Sequence, residues 1–242
     1  MLAVAAMSGC GAQSGAPAAA PSAHVLDTQA SDAALPVPNR AQALAFANAV
    51  NLTTSDIPET RVSRRQGPHT SVAERRKLDR EYEACEKPVV HAYLSLHSPD
   101  LQRGRELESE SFVSLVAFVR DHRSLATALP LLGRASVLRC VAHVATGQLD
   151  ATKLRFAHWG RVSVTALPVP LNGIPTFGFR MTVAVHISFD EVTVPLYADY
   201  LGFAEGHALV GALAVSATQP VPDTTERELI ELLHTRAEKH QS

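Results

Sequence analysis

The strongest constraint in this chain is a twelve-residue alternation at positions 177–188. Phe177, Phe179, Met181, Val183, Val185 and Ile187 are separated by Gly178, Arg180, Thr182, Ala184 and His186, and Ser188 closes the run. A strand turns successive side chains to opposite faces, so this period of two predicts a β-strand with one apolar face. Its neighbours fit the same scheme. Val162, Val164 and Ala166 alternate before it, and Phe189-Asp190-Glu191 reads as a hairpin loop into Val192, Val194, Leu196 and Ala198. Past a loop at residues 202–206, another strand is expected through Leu209, Gly211, Leu213 and Val215. Short loops join antiparallel strands, because a parallel return needs a crossover. Residues 111–120 form a strand of a different kind. Phe112, Val116 and Phe118 fall on one side and Val113, Leu115 and Val119 on the other, which predicts a central strand covered on both faces.

Helical spacing surrounds these strands. Residues 40–52 are Ala-rich, with Ala41, Leu44, Ala45, Ala49 and Leu52 expected on the buried face. The run Asn-Leu-Thr-Thr-Ser-Asp-Ile-Pro at 51–58 then breaks the helix, with Ser55 or Asp56 capping a turn. Two more helices are expected at 124–132 and 134–149, the second with a stripe of Leu138, Val141, Ala142 and Ala145. In the last helix Asp223 suits the N-cap, and Glu226 stands at the capping-box position. Leu229, Ile230, Leu233 and Ala237 supply its apolar stripe. The expected architecture is α+β: one antiparallel sheet flanked by helices, an α/β sandwich, in a single domain over residues 40–242.

The N-terminal region reads differently. Cys10 follows Met7-Ser8-Gly9, and this resembles a bacterial lipobox, in which a Cys behind small residues receives a diacylglycerol anchor. Met7 stands where Leu is usual, and no basic residue precedes a short apolar stretch, so residues 1–10 read as the remnant of a signal peptide, either because the true start lies upstream or because the chain was truncated. Residues 11–38 hold no aromatic, Lys or Arg and are dominated by Ala, Pro, Ser and Gly. Too little apolar surface is available there to offset the entropy of ordering, so 11–39 is expected to be a flexible tether, spanning about 30 Å.

Three cysteines fit this address. With Cys10 lipidated, Cys85 and Cys140 remain as a pair, and either a disulfide or two separate buried thiols would satisfy them. An oxidising compartment favours the disulfide. Residues 61–80 carry seven Lys or Arg against two Asp or Glu. A solvated helix face is the ordinary reading of such a stretch, and a docking face for anionic lipid or a partner is the other.

Composition narrows the function. A net charge of −2 and a pI near 6.6 argue against a dedicated nucleic-acid binder. No apolar run reaches the length of about 18 residues that a spanning helix requires. The nucleophile elbow, the paired-His zinc motif, the P-loop and the dinucleotide glycine motif are all missing from the sequence. The eleven His are scattered, none at the spacing that aims two imidazoles at one ion, so neither a metal nor a cofactor is expected. His186 and Arg180 share the polar side of their strand, and Asp199 follows the next strand beside Tyr197 and Tyr200. Arg180, His186 and Asp199 are therefore the candidate ligand-facing residues, with no catalytic residue assigned.

Several of these features together resemble a known group. They are the lipobox Cys10, the Ala/Pro/Ser tether, the 51–58 segment, Cys85, Arg139-Cys140 on a mid-chain helix, and the terminal Pro220-x-Pro222 followed by Glu226 and Leu229. The arrangement is similar to actinobacterial secreted lipoproteins of the LpqN type and to the extracytoplasmic sensor domains of actinobacterial Ser/Thr kinases. That resemblance implies a PsbP-like sandwich without known catalytic residues. It also implies a lipid-anchored or secreted protein at the outer face of the cytoplasmic membrane, binding an unknown small ligand or envelope protein. An assembly factor docking through 61–80, or a secreted hydrolase built on Arg180, His186 and Asp199, are the competing expectations.

Overall fold

The computed structural model describes residues 36–63, 81, 85, 92–104, 108–151, 157–171, 173–188 and 192–240. The lipobox, most of the tether, residues 64–80 of the basic stretch and the 189–191 loop lie outside the described residues. Among the described residues, helix α1 (Arg40–Val50) is followed by strands β1 (Arg61–Val62), β2 (Ala92–His97), β3 (Leu101–Arg103) and β4 (Glu110–Val119). Helix α2 (His122–Ala128) runs through a 3-10 turn into α3 (Ala135–Ala151). Strands β5 (Ala157–Ala166), β6 (Thr176–Ile187), β7 (Val192–Glu205) and β8 (Ala208–Ala217) lead to α4 (Asp223–Lys239).

The eight strands form one open sheet, seven of them in the order β1-β3-β4-β8-β7-β6-β5 with β2 paired to β4, and every pairing is antiparallel. Strands β2 and β3 lie end to end along the same edge of β4, interrupted at Ser98, where the Ser114 amide donates to the Ser98 hydroxyl at 2.9 Å. This is the α+β fold that the alternation implies, a single antiparallel sheet flanked by helices. The 177–188 pattern is β6, and the apolar run at 111–120 is β4, buried on both faces near the middle of the sheet. One face packs against α1 and α4 around Phe112, Val116, Phe203 and Val210. The other packs against α2 around Leu115, Leu125, Phe177 and Tyr200, and against α3 around Ala145, Val162 and Val183.

Three local expectations are corrected. Helix α1 buries Ala43, Ala47 and Val50 rather than the Ala41, Ala45 and Ala49 face, because small side chains let the helix lie close while Phe46 meets Phe118 edge-on at 5.5 Å. Its start is fixed by a capping box of Asn39 and Gln42. Strand β7 does not end before residue 202 but runs to Glu205, and Gly206 with φ of 55° makes the tight return into β8. Helix α4 begins at Asp223 with Pro222 as its cap residue, no side-chain cap forms, and Glu226 turns inward. Its expected stripe of Leu229, Ile230, Leu233 and Ala237 is buried, each large side chain contributing about 1.5–3 kcal/mol.

The segment between α1 and β1 is bolted by polar groups. The Ser114 hydroxyl donates to Asn51 Oδ1 and accepts from the Leu52 amide, both at 2.8 Å in the interior. Arg236 near the end of α4 grips the Asp56 carboxylate with both terminal nitrogens, at 2.9 and 2.5 Å. Cys85 and Cys140 are joined by a disulfide, with Cα atoms 5.3 Å apart. It ties Cys85 to α3 and closes a loop with a sequence separation of 55, for which chain-entropy reasoning gives about 4 kcal/mol.

Candidate functional site

Two of the three candidate ligand-facing residues meet. Arg180 on β6 and Asp199 on β7 are register partners across the sheet, so their side chains emerge side by side on the face that α4 covers. The Arg180 guanidinium donates to both Asp199 oxygens, at 2.6 and 2.9 Å, and to Glu226 Oε1 of α4 at 3.0 Å. The Asp199 side chain has no exposed surface, and Arg180 retains 18%. Asp199 is thus buried within strand β7 and does not follow the strand as expected. One guanidinium serves two carboxylates here. Burial first, and then the Asp199 carboxylate beside it, push the Glu226 carboxyl up to about 8, even though Arg180 pulls the other way. Hydrogen bonding to Asp199 raises the Arg180 pKa further, so the cation is permanent.

His186 stands apart. It lies six residues from Arg180 along β6, about 20 Å at the usual strand rise. Its ring stacks on His158 of β5 with centroids 4.7 Å apart, and Nδ1 is 2.7 Å from the Thr193 hydroxyl of β7. The triad that a hydrolase would need from Arg180, His186 and Asp199 therefore does not converge, since acid–base partners must reach hydrogen-bond distance.

Glu226 is the member of the cluster that sequence reasoning assigned elsewhere. The signal was present, for Glu226 leads the series 226, 229/230, 233, 237 and so belongs to the buried stripe of its helix. A capping-box role needs the residue three positions back to act as a side-chain cap, and Asp223 is already helical.

A concave cavity of about 600 Å³ opens at a different corner, between α1, the β7–β8 turn and the end of α4. Its wall is largely apolar, from Val37, Ala45, Phe46, Phe118 and Ala208. Gln42, Glu205, His207 and His240 place polar groups on it. The His207 Nδ1 lies 3.0 Å from the Val119 carbonyl, which can only accept, so Nδ1 carries the proton of that bond. Glu205 sits 3.7 Å from His234 of α4; burial raises its carboxyl, Glu238 adds to that and His234 opposes it. This size and mixture are what ligand pockets usually show. Residues 36–38, at the end of the expected tether, form part of its rim.

No metal cluster of three or more His, Cys, Asp or Glu occurs among the described residues. No single described helix is long and apolar enough to cross a membrane. No protein-family model, curated protein or solved structure matches this chain.

Proposed function

We propose that this chain is a lipid-anchored extracytoplasmic binding protein, held to the membrane through Cys10 and taking a small ligand with an apolar body in the α1/β7–β8 cavity. The Cys85–Cys140 disulfide carries the reading. Persistent structural disulfides belong to oxidising compartments, and this pairing leaves Cys10 as the one cysteine available to a lipobox. The cavity supplies the binding role, because its apolar wall and few convergent polar groups suit a ligand with an apolar body and a hydrogen-bonding head. A non-catalytic role is supported by how the interior charges are used. Both Asp199 oxygens and one Glu226 oxygen are taken up by Arg180, which holds α4 to the sheet.

The cavity rim adjoins the tether, so the ligand would be held on the side of the domain that faces the anchor. Native mass spectrometry of the protein released from host membranes tests the binding role. A co-purified small molecule on the wild-type chain, lost when the exposed rim residue Ala45 is enlarged to Trp, is the expected result. A bare chain, with no displacement of an apolar fluorescent probe by Ala45→Trp, would overturn it.

A further inference from the structure

The scattered histidines of the sequence give no metal-ligand spacing, but the strand register brings two of them together. His158 and His186 are direct partners across β5 and β6, and Thr193 of β7 is the register partner of His186 on the other side. The three side chains form one row across three strands at the β5 edge of the sheet. The imidazoles are nearly parallel, 28° from coplanar stacking, with centroids 4.7 Å apart. The Thr193 hydroxyl engages His186 Nδ1 at 2.7 Å, which fixes the ring and leaves Nε2 as its other functional edge.

Two features of β5 support a ligand role for that edge. The register shifts between Trp159 and Val162, a bulge that bends the strand beside the pair. Bulges recur next to functional sites because they re-aim side chains. At Gly160 a β-carbon would come within 2.5 Å of His186 Nε2 and 3.0 Å of Ala184 Cβ, so the missing side chain at the bulge is what lets the His186 ring lie over β5. His158 is exposed, so its ring can turn to share an ion with its partner.

We infer that His158 and His186 form a two-histidine site for a divalent transition-metal ion, with Thr193 as the positioning residue and the remaining coordination positions left to water or an exogenous ligand. Metal-bound histidines characteristically hold their second ring nitrogen in a hydrogen bond, as Thr193 does for His186. Nitrogen ligands of this kind favour Cu²⁺ over Ni²⁺ and Zn²⁺.

Calorimetric titration of tag-free, metal-free protein with Cu²⁺ and then Ni²⁺ tests the site. One equivalent should bind, with Cu²⁺ the tighter ion. His158→Gln and His186→Gln should each abolish that event, while Thr193→Val weakens it about tenfold. His143→Gln, an exposed histidine of α3, should leave it unchanged. Modification of the wild-type chain by diethylpyrocarbonate gives a readout that needs no variant: Cu²⁺ should protect His158 and His186 together. Binding that survives both histidine substitutions, no binding at all, or absence of protection would each overturn the assignment.

Discussion

The C-terminal helix is tied to the domain by two arginine–carboxylate clusters, one in its first turn and one in its last, and their charge arithmetic differs. At the far end Arg236 meets Asp56 one to one, and the surrounding groups are amides and a threonine. Burial opposes ionisation of Asp56, but the bonds from Arg236 and Thr53 outweigh it and hold the carboxyl below its ordinary range. At the near end Arg180 answers two carboxylates, and Glu226 is pushed up to about 8. Positions 226 and 236 lie about 15 Å apart on one helix, yet the carboxyl groups at the two ends, Glu226 and Asp56, respond to pH in opposite directions. The same residue types give a balanced clamp in one place and a proton-binding one in the other, and the burial of Glu226, with a second acid on the same guanidinium, decides which.

Removing Arg180 should have the largest effect. Arg180→Met leaves Asp199 and Glu226 buried beside each other without a cation, and a broken buried ion pair of this kind costs about 3–5 kcal/mol. Urea unfolding at neutral pH measures it. Arg236→Met should cost less, about 1–3 kcal/mol, because Arg236 is 25% exposed and water can replace part of its bonding. Equal losses from the two variants would break the distinction between the clusters.

The pH dependence sharpens it. Glu226 binds its proton more tightly in the folded state than in the unfolded chain, so its contribution is fully present below the ordinary carboxylate pKa. It is lost as pH rises toward about 8. Asp56 is the reverse: its contribution is present above the ordinary value and falls away in acid. Glu226→Gln copies the protonated state. It should flatten the decline in Tm between about pH 5 and 8, and at pH 8.5 it should gain about 1 kcal/mol or more, roughly 2–4 °C. A parallel offset of wild type and variant at every pH would contradict the proton-binding role. Asp56→Asn should instead flatten the acid limb alone.

The smallest effect is expected on the opposite face. The Tyr200 hydroxyl is buried with no hydrogen-bond partner among the described residues, and burial pushes its pKa up. Tyr200→Phe should be neutral or stabilising by about 1 kcal/mol, read from the same unfolding curves.

The sheet was legible in the sequence where apolar and polar residues alternate and where an apolar run leaves neither face polar. The 177–188 alternation maps onto β6, and the doubly apolar run maps onto β4. The stripe of α4 was equally plain, since its mean hydropathy is low and its apolar positions stand out. Helix α1 was not, because Ala occurs all round it and the buried face is chosen by what Phe46 and the small residues can pack against. Residue Gly202, in the expected loop, is a strand residue paired with Gly211, and its missing side chain makes room for the Phe177 ring, with which a β-carbon there would collide. Within the candidate site, Arg180 and Asp199 were found as polar residues on strands. Their pairing depends on register, which sequence spacing alone does not give. Glu226 followed the helical phase of its neighbours, against a local capping motif that competed for the same residue. The cavity and the His158–His186 pair arise from elements distant in the chain and left no local signature.

The most direct test of the account is the intact mass of the mature protein from host membranes, measured with and without reduction. The account expects a chain beginning at Cys10 that carries acyl groups and gains one pair of hydrogens when Cys85–Cys140 is reduced. An unprocessed, unacylated chain with all three thiols free would contradict it, and the anchored binding role would fall with it.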